Sequence, residues 1–276
     1  VATPIGNLGD ITLRALEILK GVDVILAEDT RETGKLLAGL NIRNTQKLIS
    51  CHDFNEEHRI EQVKELLHAG QSIALVSDAG TPLISDPGYK IVTALRKESF
   101  NIVPIPGVSA VITALSVAGL PSDNFTFRGF LAAKKTKRQE QILAFSKLNS
   151  TVVVYESVHR LSYLLVDLVE LLPQHNIVVA KEITKQFEKF ISGKPSEVQQ
   201  FFIDNSDTVR GEFVVLIDCN GKDDDKASVA LDLRELLIDL LEDLPLKKAV
   251  KLAAKLTKGK KNEIYEIALD IKDKGK

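Results

Sequence analysis

Short apolar runs alternate with helical patterns from Val1 to about Leu120. Each run is rich in β-branched residues and apolar on both faces, which is typical of strands buried in a parallel sheet. Between the runs, apolar residues recur at helical spacing, as they do after Asp10, which we predict to be an N-cap. After an opening strand at Val1, the predicted strands are Val22–Ala27, Leu48–Cys51, Ser72–Ser77 and Ile102–Ile105, and the predicted helices are Ile11–Lys20, Thr33–Leu40, Glu56–Ala69, Tyr89–Lys97 and Ser109–Ala118.

The alternation of strand and helix patterns stops at the turn-rich segment Gly119–Asn124, and a second α/β pattern follows this segment. A hairpin-like stretch, Phe187–Gly193, indicates that some strands of this second part pair antiparallel. The predicted strands are Phe125–Phe130, Thr151–Tyr155, Ile177–Lys181 and Glu212–Asp218, and the predicted helices are Gln139–Leu148, Arg160–Leu171 and Ser196–Asn205.

A charged segment, Gly221–Lys226, comes before an apolar and lysine-rich pattern that predicts helices over Ser228–Asp273. The sequence therefore predicts an α/β protein in three parts. Residues 1–120 form an α/β domain with a parallel sheet, and residues 121–221 form an α/β domain with a mixed sheet. Residues 222–276 form a linker and a small helical C-terminal tail.

Charge and composition narrow the possible functions. The 276 residues include 36 Lys and Arg against 38 Asp and Glu, a net charge of -2. This balance excludes a generally basic nucleic-acid coat, so any nucleic-acid contact must come from a local patch.

The two cysteines, Cys51 and Cys219, are too few for a disulfide framework or a cysteine-rich zinc site, and they fit a reducing cytoplasm. No apolar run is long enough for a transmembrane helix. Because the chain lacks methionine and opens within an apolar segment, we expect native sequence before Val1.

Four loops at predicted strand ends are rich in glycine, proline or charge. The first loop, Thr3–Asp10, has two glycines before a helix and can offer backbone N–H groups to a polar ligand. Its spacing alone favours a simple tight turn, and it lacks the glycine patterns of NAD or ATP sites. In the second loop, Ala27–Arg31, two carboxylates and an arginine can hold a proton, a ribose hydroxyl or a phosphate. An equally good interpretation is that Asp29 or Thr30 caps the next helix.

The third and fourth loops give the clearest functional signals. The third loop, Ser77–Gly88, contains two glycines, two prolines and two aspartates in twelve residues. We favour a functional role, because a mere connector has no need of so many special backbone residues. Asp78, Gly80 and Thr81 bring a carboxylate and open backbone to a bound molecule. In the fourth loop, Pro104–Ala110, small residues allow either ligand approach or close packing of a helix on a sheet.

These loops carry a resemblance. The strings TPIGNLGDIT, AEDTR, SDAGTPLISDPG and PGVSA, followed by AGLPSD, YESVHR, KEITK and RGEFVV, resemble the tetrapyrrole methylase superfamily. They are most similar to its ribosomal RNA branch, which methylates the ribose 2'-hydroxyl of a decoding-centre cytidine in 16S rRNA of the small ribosomal subunit. The resemblance runs from Val1 to about Asp218 and is weaker in the tail.

The resemblance implies an S-adenosylmethionine (SAM) enzyme with two α/β domains, the cofactor in the cleft between them, and a homodimeric state. By motif match, one wall of the cofactor site comprises Ser77, Asp78, Ala79 and Gly80. Ser109 and Ala110 contact its other side, Pro4 borders the cleft, and Tyr155 closes over the adenine with the strand after Gly211 and Glu212.

Methyl transfer to a ribose hydroxyl requires a base or a nearby cation, because the hydroxyl is a poor nucleophile. We predict Asp29 or Glu28 as base or orienting group and Arg31 as a phosphate contact, since all three follow a strand end. His52 and Asp53 are further candidates. No residues have the spacing of metal ligands, so we expect no metal.

Clusters of cations are the candidate RNA contacts. Lys134, Lys135 and Arg138 belong to a basic segment that we predict to be a loop, and Arg160 follows the YES motif. The stretch from 244 to 262 reads as helix, glycine-containing turn and helix, similar to a helix-turn-helix. On charge alone its lysines fit a solvated helix face equally well, but the absence of acids in this stretch favours phosphate contact. These lysines are Lys247, Lys248, Lys251, Lys255, Lys258, Lys260 and Lys261.

Three other functions compete with this one. Methylation of a porphyrin-like small molecule is the alternative within the superfamily, and the AEDTR loop and basic tail argue against it. A non-enzymatic nucleic-acid-binding protein would not need the glycine- and proline-rich strand-end loops. A nicotinamide oxidoreductase would need a glycine fingerprint that this sequence lacks.

Overall fold

A computed structural model describes residues 1–43, 45–206, 209–221, 233–234, 236–241, 243–257 and 259–274. The chain divides into two compact units, Val1–Asp218 and Cys219–Lys276. The predicted boundary near residue 120 lies inside the first unit and stays a prediction. The linker residues 222–232 lie outside the described residues.

The first unit opens with a three-stranded parallel sheet in the order β2-β1-β3. The strands are β1 Val24–Ala27, β2 Lys47–Ser50 and β3 Ile73–Val76, and every residue of β1 is buried. Ile25 and Ala27 face one apolar cluster, whereas Val24 and Leu26 face another, because side chains alternate along a strand. Helices cover both faces, as predicted: α1 Leu13–Gly21 and α2 Thr30–Gly39 lie on one face, and α3 Glu56–His68 and α4 Tyr89–Lys97 lie on the other. Helix α5 Ala110–Val117 follows them in the chain.

Three local predictions about this sheet are wrong. Residues 102–105 form no strand, and the opening segment contributes a single bridge, between Thr3 and Gly80. The opening segment meets residue 105 through one hydrogen bond, from the Ala2 N–H to the Ile105 carbonyl at 3.2 Å, so each stretch has too few ladder hydrogen bonds to count as a strand. Helix α1 is capped by Thr12, whose hydroxyl accepts the Ala15 N–H, and not by Asp10. Asp10 belongs instead to a short 3₁₀ turn.

The second sheet has five strands in the order β4-β5-β8-β6-β7. β4 and β5 pair parallel and the other neighbours pair antiparallel, so the predicted mixed sheet is confirmed. The predicted hairpin-like stretch contributes β7, which pairs antiparallel with β6. The strands are β4 Phe125–Phe130, β5 Thr151–Ser157, β6 Ile177–Lys181, β7 Lys189–Gly193 and β8 Glu212–Asp218, and the helices are α6 Lys135–Leu143, α7 Leu161–Leu171 and α8 Pro195–Asp204.

Helix α5 packs on the second sheet. Its buried residues Val111, Ala114 and Leu115 share one apolar cluster with Val153 of β5 and Val214 of β8. The fourth loop leads into α5, so this packing brings the end of that loop next to β5 and β8.

The second unit is helical. Its helices α9 Leu246–Thr257 and α10 Lys261–Lys274 close on a small core of Leu233, Leu237, Val250, Ala253, Ile264 and Ala268. Ala253 and Ile264 are at most 1% exposed, because small and branched residues let the two helices approach closely. No helix in the described part of the chain is long and apolar enough to cross a membrane.

A buried ion pair ties α6 to α7. Arg138 Nε lies 2.6 Å from Asp167 Oδ2, and the two side chains are 6% and 1% exposed. We predict that Asp167→Ala, which leaves a buried arginine unpaired, lowers the free energy of unfolding by about 3–5 kcal/mol. Urea denaturation followed by circular dichroism measures this loss.

The control is Glu32→Ala, which removes the partner of Lys35 from an exposed ion pair and should change stability little. Equal denaturation midpoints for the two variants would contradict the prediction.

Candidate active site

The third loop is the point at which the other three loops meet. Thr3 of the first loop donates its N–H to the Gly80 carbonyl at 2.8 Å, and Gly80 donates its N–H back at 3.0 Å. Gly80 has a φ of 82°, a conformation that glycine adopts without strain. An added Cβ there would meet Ile5 Cγ2 at 3.2 Å. The first loop is therefore held against the third by backbone geometry.

Asp78 connects the second and third loops. Its Oδ1 accepts the Asp29 N–H at 3.0 Å, while its own N–H donates to Glu28 Oε2 at 3.3 Å. Thr81 connects the third and fourth loops, because its hydroxyl donates to the Val108 carbonyl at 2.9 Å. All four sequence-predicted loops thus form one assembly.

A cavity of about 410 Å³ opens beside this assembly. The lining residues from the loops include six predicted site residues, namely Glu28, Asp78, Ala79, Gly80, Ser109 and Ala110. The opposite wall comes from β4, β5, β8 and the segment after β6, and it includes Phe130, Tyr155, Ile183, Lys185 and Phe213. The cavity therefore lies between the loops that follow the strands of the first sheet and strands β4, β5 and β8 of the second sheet.

Tyr155 connects the two walls. Its ring lies edge-on to Phe127 and Phe130, with centroid distances of 4.9 and 5.7 Å. The Val111 backbone N–H, in the first turn of α5, hydrogen-bonds its hydroxyl oxygen, and burial raises the pKa of Tyr155 to about 12. At neutral pH the hydroxyl is therefore protonated and is also available as a donor to a molecule in the cavity.

Carboxylates give the cavity its charge. Burial raises the pKa of Glu28 and of Asp78. Burial also raises the pKa of Asp86 to about 6, and repulsion from Glu28, Asp78 and Asp53 adds to this effect. Because like charges in a partly desolvated space repel, this part of the cavity favours a cationic ligand.

Asp29 and Arg31 do not line the cavity. Asp29 caps α2 by accepting the Arg31 N–H, and its carboxylate is held by the Arg31 guanidinium, with an Nη2–Oδ2 distance of 2.6 Å. The Arg31 hydrogen bonds hold the pKa of Asp29 well below its usual range. A carboxylate this acidic is a poor proton acceptor, so this geometry supports the capping alternative, and Asp29 as the base stays a prediction. Arg31 itself is 84% exposed.

Two predicted cofactor residues, Pro4 and Ser77, are buried and are not among the residues that line the cavity. The Ser77 hydroxyl donates to the Ala79 carbonyl at 3.3 Å, and it lies close enough to the Asp86 carboxylate to lower the pKa of that group. Direct cofactor contacts by Pro4 and Ser77 therefore stay a prediction. Sequence reasoning also missed Asp86 and Lys185, although both stand in strings that carry the family resemblance.

The predicted RNA contacts of the first unit are only partly accessible. Arg138 is buried against Asp167 on helix α6, not on a loop, so it cannot reach a phosphate and its assignment is wrong. Arg160 is half-buried, donates from Nη2 to the Leu131 carbonyl at 2.5 Å and lies 3.3 Å from Glu156. Lys134 and Lys135 are exposed.

The lysines of the second unit form an exposed surface. On α9, Lys247, Lys248, Lys251 and Lys255 are exposed, opposite the buried Ala249, Val250 and Ala253. Within the described ranges none of these four lysines has a carboxylate at ion-pair distance. Lys260 and Lys261 are also exposed, with Lys260 lying 3.6 Å from Glu263, and Lys258 lies outside the described residues.

Among the residues that the structure describes, no group of three or more His, Cys, Asp or Glu side chains is arranged to hold a metal ion. His52, a further sequence candidate, instead contacts Asn55, with 3.1 Å between His52 Nε2 and Asn55 Nδ2.

Comparison with protein families assigns residues 1–199 to the Tetrapyrrole (Corrin/Porphyrin) Methylases and residues 227–272 to the RsmI C-terminal HTH domain. The chain therefore belongs to the tetrapyrrole methylase family.

Relatives that match nearly the whole chain have a narrower name. The Ribosomal RNA small subunit methyltransferase I of Vibrio cholerae is 46% identical over 98% of this chain and 93% of its own length. Its namesake from Escherichia coli O157:H7 is 44% identical over the same shares. Among solved structures, the uroporphyrin-III C-methyl transferase from Thermus thermophilus complexed with S-adenyl homocysteine has a TM-score of 0.52 at 18% identity. That match covers 77% of this chain and 92% of the other, and it shows the fold.

Gly80 gives a test of the loop assembly. We predict that Gly80→Ala lowers the free energy of unfolding by about 1–2 kcal/mol, because an L-residue is strained at this positive φ. The matched control is Gly34→Ala in α2, where an added Cβ meets nothing within 4 Å. That change should stabilise the protein by about 0.5–1 kcal/mol. Thermal unfolding of both variants measures the two effects, and the same sign for both would contradict the assigned backbone geometry.

Proposed function

We propose that this protein uses SAM to methylate the ribose 2'-hydroxyl of a decoding-centre cytidine in 16S rRNA of the small ribosomal subunit. The observation that carries the proposal is the assembly of four family-specific loops around one acidic cavity. Full-length relatives named as small-subunit rRNA methyltransferases support an RNA substrate over a tetrapyrrole.

The residues of the cavity fit the proposed cofactor. Its volume of about 410 Å³ lies within the range of small-molecule sites. The repelling carboxylates Glu28, Asp78 and Asp86 are complementary to a ligand that carries a sulfonium and an ammonium group. Ala79, Gly80 and Ala110 leave backbone accessible, and Tyr155 supplies an aromatic wall. When bound, SAM supplies an electrophilic methyl group.

The chain's own task is to orient the ribose and remove its proton. Orientation supplies much of the acceleration in such a transfer. Of the sequence-predicted bases, Glu28 lines the cavity and has a raised pKa, whereas Asp29 is held by Arg31. A cavity carboxylate is therefore the proposed proton acceptor.

The exposed lysines of α9 are the proposed phosphate contacts. Lys247, Lys251 and Lys255 follow one another at intervals of four residues, so they share one helix face. The match of residues 227–272 to a helix-turn-helix domain supports this role.

We also propose an oligomeric state, a domain division and a cellular location for this protein. Resemblance to the family supports a homodimer, and the two successive α/β patterns in the sequence support domains at 1–120 and 121–221. A ribosomal substrate and a chain with only two cysteines support a cytoplasmic location. The proposed chemistry requires no metal.

The decisive test is methyl transfer from radiolabelled SAM to small ribosomal subunits purified from a strain that lacks the gene. We expect label in 16S rRNA, in a nucleoside that resists alkaline cleavage because its 2'-oxygen is methylated. Subunits from the parent strain are the control and should accept little label. Label on a base, or on no RNA at all, would refute the proposal.

A second test concerns the tail. We predict that the triple change of Lys247, Lys251 and Lys255 to Gln weakens binding to a 16S rRNA substrate. The slope of log affinity against log salt should fall by about one for each lysine that no longer pairs with a phosphate. Fluorescence anisotropy over a salt series measures this slope, and calorimetry should show unchanged SAM binding.

The matched control changes three exposed lysines of the first unit, Lys20, Lys47 and Lys97, to Gln. Truncation after Asn220 should reproduce the weaker RNA binding. An unchanged salt slope in both the triple tail variant and the truncation would exclude the tail as an RNA contact.

A further inference from the structure

Five described carboxylates belong to residues that line the cavity: Glu28, Asp78, Asp86, Glu156 and Glu212. A proton acceptor for the ribose must be able to reach the substrate and must have few fixed partners. The contacts of these five groups separate them clearly.

Four of the five carboxylates already accept a hydrogen bond or form an ion pair with other protein groups. Glu28 and Asp78 accept backbone N–H groups that hold the second loop to the third. Glu156 Oε1 accepts the Ser157 N–H and faces Arg160, and as the strand residue after Tyr155 it points to the opposite side of the sheet. Glu212 is 82% exposed and pairs with Lys185 at 3.2 Å.

Asp86 differs from these four. The hydroxyl of the buried Ser77 lies close enough to lower the pKa of this carboxylate, but that hydroxyl also donates to the Ala79 carbonyl at 3.3 Å. Among the described residues, acceptor positions on Asp86 therefore stay available to a ligand. It is half-buried, and it is followed by the buried Pro87 and Gly88. Asp86 is therefore an available carboxylate at the cavity wall.

The groups around Asp86 set its proton affinity. Glu28 and Asp78 face it from the second and third loops, and Asp53 acts on it from the segment after β2. Tyr155 lies near enough on β5 for the Asp86 charge to raise the pKa of the tyrosine. Lys185 is a cation on the same cavity wall as Tyr155. With a pKa of about 6, Asp86 is mostly ionised at neutral pH and still holds a proton far better than an ordinary aspartate.

We propose that Asp86 is the catalytic base that accepts the proton of the ribose 2'-hydroxyl. This inference rests on the proposed function. In the step, the hydroxyl proton moves to an Asp86 carboxylate oxygen while the ribose oxygen forms its bond to the methyl carbon. The methyl–sulfur bond breaks, its electron pair stays on the sulfur, and the positive charge of the sulfonium is neutralised. Burial raises the affinity of Asp86 for the proton, and the charges of Glu28 and Asp78 add to it.

The test compares Asp86→Asn with the wild type and with Asp123→Asn, a matched change at an exposed residue outside the cavity lining. We expect Asp86→Asn to lower kcat for methyl transfer about 10²–10⁴-fold, as removal of a general base does. Because S-adenosylhomocysteine carries no sulfonium charge, its binding, measured by calorimetry, should weaken far less in Asp86→Asn than kcat falls, and it should be unchanged in Asp123→Asn. Asp123→Asn should keep the wild-type rate.

The pH dependence gives an independent readout. The ionised carboxylate is the active form, so wild-type kcat should fall as the pH drops through about 6. Asp86→Asn should lack this limb. Difference infrared spectra of the two proteins in complex with S-adenosylhomocysteine should show a carboxyl group that titrates over the same range only in the wild type. Asp86→Glu, which keeps the carboxyl group, should recover part of the rate.

Three outcomes would overturn the proposal: near-wild-type kcat in Asp86→Asn, an unchanged acidic limb in that variant, or failure to bind S-adenosylhomocysteine as the main effect. The last result would assign Asp86 to cofactor binding. A wild type that does not methylate 16S rRNA would instead refute the proposed function, and it is recognised before any variant is measured.

Discussion

The two hydrogen bonds between Thr3 and Gly80 are the constraint on which the site depends. They hold the first loop against the third, while Asp78 and Thr81 extend the same loop to the second and fourth. A single backbone position at positive φ allows Gly80 to donate to and accept from Thr3 while remaining at the cavity wall. Each of these hydrogen bonds joins the third loop to another loop. The four loops are therefore fixed relative to one another, and so is the side of the cavity that they form.

This assembly also brings like charges together. Glu28, Asp78 and Asp86 lie in a partly buried space, and their pKa values rise chiefly because burial disfavours the charged form, with repulsion from nearby carboxylates adding to the effect. Asp29, one residue from Glu28 in the chain, has a lowered pKa, because the exposed Arg31 holds its carboxylate. Neighbouring carboxylates in one short motif therefore have opposite properties. The repulsion costs the fold some stability and favours a cation in the cavity, which is a common compromise between stability and function.

Negative and positive charges are also concentrated in different parts of the chain, although its net charge is only -2. Carboxylates line the cavity, whereas four lysines are exposed on α9 and small residues are buried there. Ala249 and Ala253 are fully buried on α9, and the four lysines lie on its exposed face. Each compact unit thus has its own electrostatic character.

The sequence by itself determined the α/β class, the mixed second sheet, most helix bounds and the four loops, because these follow from local periodicity and from glycine and proline positions. It could not decide which neighbouring polar residue faces the cavity. Asp29 or Glu28 as base, the burial of Arg138 and the availability of Asp86 depend on contacts between residues far apart in the chain. Only the tertiary structure places those partners, and burial and nearby charge then determine whether a carboxylate binds a proton, a backbone amide or an arginine.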